Sequence, residues 1–286
     1  MSRILFILIA FTLLPVLATG QLLDVKHESV IYKRIDSTRL WMDIYYPSDL
    51  DSSRTYPAMV FFFGGGWTSG TRRQFELQAR YFATRGMVTF LPDYRVTSRH
   101  GSTIFDSMED AKDAVASLSQ EARKYFIDPN QIVVVGGSAG AQLALYTAFK
   151  HDPPLSHKPA ALVVFNPPVN MGPTNPLLYR RVGPRYRESS PIHNIDKGMP
   201  PMLILHGTAD KFVTLPMIEN YLRYMDSAEN EYKLVLYEGR DHGFFNPLTN
   251  VEDCRLTTRE ADEFLCEQGF ISGPPTIMTM YIPLEE

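Results

Sequence analysis

Near its midpoint the chain reads Gln131-Ile132-Val133-Val134-Val135-Gly136-Gly137-Ser138-Ala139-Gly140-Ala141-Gln142-Leu143-Ala144-Leu145. Ile132 to Val135 is an unbroken β-branched run, as expected of a strand buried on both faces. Ala141 to Phe149 is rich in helix formers. Between them lies Gly-x-Ser-x-Gly, the setting a strand–turn–helix nucleophile requires. The reason is steric: a side chain lifted on so sharp a turn needs neighbours two positions away without a Cβ, and Gly136 and Gly140 meet that need. The following helix would point its N-terminus at Ser138, where developing negative charge is favoured.

Working outward, apolar runs recur at intervals that alternate with helical patterns. Val30–Arg34 and Arg39–Tyr46 alternate apolar and polar residues around a turn at Ser37-Thr38 and predict an antiparallel hairpin. Ala58–Phe63, Val88–Leu91, Ala161–Phe165, Met202–Leu205 and Leu234–Tyr237 complete a set of eight expected strands. Asp106–Lys124 and Glu252–Gln268 carry helical spacing, and Ile127-Asp128-Pro129-Asn130 reads as a turn. The pattern predicts an α/β fold: one mostly parallel eight-stranded sheet with helices on both faces. Two stretches have no clear period. They are the proline-rich Pro167–Pro201, a length that usually marks a functional loop, and the tail Ser272–Glu286.

Two segments besides the serine turn carry chemistry. Phe63-Gly64-Gly65-Gly66-Trp67 ends the third strand, 75 residues before Ser138. Its glycines let backbone amides approach a ligand, and with Ala139 the amides of Gly65 and Gly66 are the candidate oxyanion donors. No Gly-Lys-Ser/Thr follows, so a phosphate loop is not indicated. A serine needs a base, and of seven histidines His242, in Gly239-Arg240-Asp241-His242-Gly243-Phe244, stands just past the last strand. His206 ends a buried strand and reads as packing. The acid that orients the base is expected at Asp210, beyond the seventh strand, because functional groups gather at the C-terminal ends of parallel strands. Asp241 adjoins His242, and adjacent side chains diverge. The candidate triad is therefore Ser138, Asp210 and His242, in the order common to this architecture. Trp67 is a candidate substrate contact. No metal-ligand spacing or dinucleotide fingerprint occurs, so neither metal nor cofactor is expected.

Residues 1–20 read as a secretory signal peptide. Arg3 precedes the 14-residue apolar run Ile4–Leu17, and Ala18-Thr19-Gly20 supplies small residues before a cut at Gln21. The run is short for a membrane anchor, and stable membrane insertion after cleavage is not expected. Residues 21–286 form one expected catalytic domain, secreted or periplasmic. Formal net charge is −4, or −5 without Arg3, and no basic stripe indicates a nucleic-acid partner. Cys254 and Cys266 share one expected helix, which separates their Cα atoms by about 18 Å. That exceeds the ~7 Å reach of a disulfide, so two free thiols are expected.

Together these segments, with Asp93-Tyr94-Arg95 and His206-Gly207-Thr208-Ala209-Asp210, resemble α/β-hydrolase-fold serine esterases of the acetyl-xylan/feruloyl-esterase-like and hormone-sensitive-lipase-like groups. The resemblance implies hydrolysis of carboxylic esters through an acyl-enzyme, with a short-chain acetyl or feruloyl ester on a small molecule or polysaccharide as the expected substrate. It also implies a structural role for Asp93, Tyr94 and Arg95 beneath the oxyanion loop. Those groups carry His before the triple glycine where this chain has Phe63, so the loop must be held in another way. Two other readings remain: a serine peptidase of prolyl-oligopeptidase type, here without its propeller, and an inactive hydrolase-fold binding protein. Oligomeric state is not readable from the sequence.

Overall fold

The computed structural model describes residues 25–152 and 154–279. The expected signal peptide lies outside the described residues. Eight strands form one sheet: β1 His27–Ile35, β2 Thr38–Tyr45, β3 Tyr56–Phe62, β4 Val88–Pro92, β5 Ile127–Gly137, β6 Ala161–Phe165, β7 Met202–Gly207 and β8 Tyr232–Tyr237. Their order is β1-β2-β4-β3-β5-β6-β7-β8. The first two pairings are antiparallel and the others parallel. The α-helices are α1 Glu76–Thr84, α2 Thr97–His100, α3 Ile104–Gln120, α4 Ala139–Thr147, α5 Pro176–Val182, α6 Tyr186–Ser189, α7 Leu215–Ser227 and α8 Val251–Glu267.

The apolar strand runs divide between two cores because alternate side chains leave opposite faces. Val60, Phe62, Val134, Leu162, Val164 and Ile204 pack with residues of α3, α4 and α7. Phe61, Val133, Val135, Val163, Phe165 and Leu205 pack with residues of α1 and α8. Helices therefore cover both faces, as the alternating pattern required. None of the helices among the described residues is long and apolar enough to cross a membrane.

Three local expectations differ from the structure. The hairpin turn falls on Asp36-Ser37, with Asp36 at a φ of +49°, a conformation Asp adopts more readily than the β-branched Thr38. Ile127–Asn130 falls inside β5 rather than ahead of it, as a bulge: Ile127 pairs with Tyr56, the next pair is Ala58 with Ile132, and Asp128 Oδ1 accepts from the Asn130 amide at 2.9 Å. Chain reversal occurs earlier, at 121–126, where Phe126 takes a φ of +58°, so α3 stops at Gln120 rather than Lys124. The 167–201 stretch contains α5, α6 and two short 3₁₀ turns, Gly183–Arg185 and Pro191–His193. Pro176 opens α5 and Pro191 the second turn, while Pro184 and Pro191, just past the ends of α5 and α6, cannot continue those helices and keep them short.

The described part of the tail is packed. Ile277 is fully buried, the Thr276 amide donates to Tyr81 Oη at 3.1 Å and Arg85 Nη2 donates to Gly273 O at 2.7 Å. Cys254 and Cys266 are both free. Burial pushes the Cys254 thiol up to about 12, which leaves it an inert packing group.

Candidate active site

Ser138 occupies the sharp turn between β5 and α4 with φ 52° and ψ −117°, a strained conformation for a residue with a side chain. The surroundings enforce it. A Cβ on Gly140 would lie 2.0 Å from Phe62 O, and one on Gly136 would lie 2.1 Å from Gly140 O. The strand end and helix start therefore pass closer than any side chain permits. The Ser138 amide donates to Phe165 O at 2.8 Å, and its carbonyl accepts from Ala141 and Gln142 at 2.9 and 3.1 Å. The hydroxyl is thus held at the head of α4.

Ser138 Oγ lies 2.6 Å from His242 Nε2, and His242 Nδ1 lies 2.6 Å from Asp210 Oδ2. An ionised carboxylate only accepts, so Nδ1 carries the proton and Nε2 presents its lone pair to the serine. The second Asp210 oxygen accepts from the amides of Phe212 and Val213 at 2.8 and 2.9 Å. Burial by itself would raise the Asp210 pKa. The hydrogen bond with His242 and the amides outweigh it, and the carboxyl stays below the usual carboxylate value. Asp241 lies apart, exposed, and its carboxylate accepts from the Gly243 amide at 3.2 Å. His206 is fully buried, and burial lowers its pKa so that it stays neutral.

The His242 loop is anchored on both sides. Phe244 and Phe245 are buried, and Phe245 stacks on Phe75 with ring centroids 5.7 Å apart. Asn166 was not singled out from the sequence. It is fully buried at the end of β6 with a φ of +45°. Its Nδ2 donates to His242 O, and its Oδ1 accepts from the Gly207 amide at 3.2 Å. With Phe165 O receiving the Ser138 amide, two consecutive residues tie together the ends of β5, β6 and β7 and the histidine loop. A positive φ favours Asn among residues with side chains, but nothing in the local sequence Phe165-Asn166-Pro167 announces that bridge.

The glycine loop after β3 flanks Ser138: a Cβ on Gly64 would lie 3.5 Å from Ser138 Cβ. Gly65 has a φ of +124° and Gly66 a φ of +63°, so the chain turns through conformations that favour glycine. The Gly64 amide is committed to Gln74 Oε1 at 2.6 Å. Among the described residues no acceptor takes the amides of Gly65, Gly66 or Ala139, the pattern of donors kept for a ligand.

Phe63 cannot hydrogen-bond through its side chain, and the loop is held without it. Its ring stacks on Tyr94 at 4.0 Å, and Tyr94 Oη donates to Phe63 O at 2.7 Å. Burial pushes the Tyr94 phenol well above its usual value, so it remains a donor. Arg181 of α5 reaches across to donate to Gly66 O at 2.6 Å. Arg99, paired with Asp93, reaches Gly70 O at 3.3 Å. Arg95 instead binds Asp106 and Asp110 at 3.1 and 2.8 Å, locking the start of α3 rather than the glycine loop.

Trp67 is only 2% exposed. Its indole N–H donates to Gln142 Oε1 at 3.2 Å, and Gln142 Nε2 donates to Ser189 O at 2.8 Å. It braces the loop against α4 and offers a ligand almost no surface, contrary to the substrate contact expected of it. No cluster of His, Cys, Asp or Glu suited to a metal ion occurs among the described residues.

The BD-FAE family model matches residues 42–161, which include the glycine loop and the serine turn. Esterase 2 of Thermogutta terrifontis, in a structure phosphoramylated by tabun, is 39% identical, with 86% of this chain and 96% of that chain covered and a TM-score of 0.81. The chain belongs to the α/β-hydrolase esterase family. The propionate-bound form of the same Thermogutta esterase is 38% identical, with 91% of this chain and 98% of that chain covered and a TM-score of 0.81. A probable isoprenylcysteine alpha-carbonyl methylesterase of Oryza sativa subsp. japonica is 26% identical over 250 residues, 75% of this chain and 57% of the rice protein. The chain spans at most 57% of the length of such curated relatives. Its likeness to the Thermogutta esterase extends over nearly all of that enzyme.

Proposed function

We propose that this chain hydrolyses short-chain carboxylic esters with Ser138 as nucleophile, His242 as base and Asp210 as its orienting acid. The observation that carries the proposal is the continuous path Ser138 Oγ–His242 Nε2, His242 Nδ1–Asp210 Oδ2, each step 2.6 Å. In the reaction, Nε2 takes the hydroxyl proton as Oγ bonds to the carbonyl carbon. The carbonyl oxygen becomes an oxyanion, held by the Gly65, Gly66 and Ala139 amides. Each such donor is worth roughly 3–4 kcal/mol at the transition state. Nε2 then returns the proton to the alcohol oxygen as the ester C–O bond breaks, leaving an acyl-Ser138. Water, deprotonated by the same imidazole, releases the acid.

Propionate in the similar Thermogutta structure favours a short acyl group. Acetyl or feruloyl esters of carbohydrate are the leading substrates, and export through the expected signal peptide 1–20 would bring the enzyme to extracellular polymers. A fluorophosphonate probe tests the nucleophile. Peptide mapping is expected to find one adduct, on Ser138, and none in Ser138→Ala. An adduct elsewhere would displace the assignment. Release of acetate from acetylated xylan, absent in Ser138→Ala, tests the carbohydrate reading.

A further inference from the structure

We infer that Phe212 forms a wall of the alcohol side of this site and favours esters whose alcohol carries a flat apolar face. The inference rests on the ester-hydrolase reading above. Asp210-Lys211-Phe212-Val213 leaves β7 with its apolar residues treated unequally: Val213 is 2% exposed, while the much larger Phe212 is 61% exposed. The Phe212 amide donates to Asp210 Oδ1 at 2.8 Å, so the residue is fixed to the same carboxylate that orients the base. Its ring centroid lies 5.3 Å from that of His242, tilted by 59°. Among the described residues this is the one aromatic ring contact Phe212 makes.

The reaction determines what comes to rest there. His242 Nε2 gives its proton to the alcohol oxygen, so that oxygen must stand within hydrogen-bond reach of Nε2. The carbonyl oxygen points to the glycine-loop amides. The group attached to the alcohol oxygen is therefore the part of the substrate that passes the imidazole and the ring beside it. With its backbone fixed at Asp210 and its ring against the imidazole, Phe212 offers an exposed aromatic face that such a group can cover. Two kinds of alcohol present a matching surface: a phenol, with its ring, and a sugar, with the C–H face of a pyranose.

The test holds the acyl group constant and varies the alcohol. Kinetics for methyl acetate, phenyl acetate and an acetylated methyl xyloside are compared between the parent protein, Phe212→Ala and Phe212→Trp. Ratios between variants cancel the intrinsic reactivity of each ester. The kcat/KM ratio of phenyl acetate to methyl acetate is expected to fall about five- to tenfold in Phe212→Ala and to be kept in Phe212→Trp. A parallel fall for the xyloside extends the site to sugars, and a fall for phenyl acetate alone restricts it to aromatic alcohols. Unchanged ratios, or an equal loss on all three acetates, would overturn the inference. If Phe212→Ala does not fold, Phe212→Leu, which keeps apolar bulk but not the flat face, carries the same comparison. Failure of the parent to cleave any acetate, or cleavage that survives Ser138→Ala, would instead strike the esterase reading.

Discussion

The serine turn and the glycine loop beside it are both glycine-rich and both follow a buried strand, but they are held by different means. The turn at Ser138 is held by backbone alone: crowding within the turn and against the end of β3, and one hydrogen bond from the Ser138 amide to Phe165 O of β6. Gly136 and Gly140 leave room for backbone to pass backbone, and a Cβ at either would stand 2.1 or 2.0 Å from a carbonyl oxygen, far inside van der Waals contact. The loop from Gly64 to Gly70 is also crowded within itself, Gly65 against Ser69 O and Gly70 against Gly64 O, but it is tethered in addition by the side chains of Gln74, Tyr94, Arg99 and Arg181, which bond its backbone and that of Phe63. A turn locked by backbone contacts, which need only the absence of a Cβ at two positions, is specified by a short motif. A loop tethered by distant side chains depends on residues whose purpose appears only when the chain is folded.

The strongest way to break this contrast is Gly140→Ala. A methyl 2.0 Å from Phe62 O forces strand and helix apart, at an expected cost of about 4 kcal/mol or more. A thermal melt should show a loss of about 10 °C or more, or no folded protein; an unperturbed melt would mean the turn has slack. Asn166→Ala strikes the bridge common to the strand ends. It should lower kcat by roughly ten- to a hundredfold with KM nearly unchanged, the pattern of a displaced catalytic group. Asn166→Gly, which relieves the positive φ but cannot restore the hydrogen bonds, should recover stability without recovering kcat.

On the loop side, Tyr94→Phe removes one hydroxyl and keeps the stack on Phe63. Leaving Phe63 O unpaired is expected to cost about 1–3 kcal/mol and to lower kcat by about tenfold. Equal activity would show that Gln74 and Arg181 suffice. The smallest effect is on acid stability. The folded Asp210 has a pKa below its unfolded value. Its stabilising contribution is therefore complete above the ordinary carboxylate pKa and is lost as pH falls through the lower, folded value. Melting curves of the parent and Asp210→Asn should converge as the medium is acidified through that range. A constant gap would contradict the shift.

Much of this molecule is legible in its sequence. The β-branched runs, the Gly-x-Ser-x-Gly turn and the positions of Asp210 and His242 after late strands depend on local physics, which a linear sequence records. The start of β5 at Ile127 is hidden because Asp128-Pro129-Asn130 has turn composition, and those residues do bulge from the ladder, which pairs Ile127 with Tyr56 and resumes only at Ile132 with Ala58. Trp67 was read as a ligand contact because large aromatics near glycine loops can serve either way. Gln142, 75 residues on, decides the matter by taking its indole N–H. With Phe63 in place of the expected His, the loop is held by Tyr94, whose supporting role the family resemblance implies, and by Gln74, whose contact with the Gly64 amide no spacing rule encodes. Asn166 was missed for the same reason.

The most direct test of the account is the rate of p-nitrophenyl acetate hydrolysis by the purified protein and by Ser138→Ala. Saturable hydrolysis is expected, falling by about 10⁴-fold or more in the variant, with the fold unchanged by circular dichroism. Equal rates in the two proteins, or no hydrolysis by a folded parent, would contradict it.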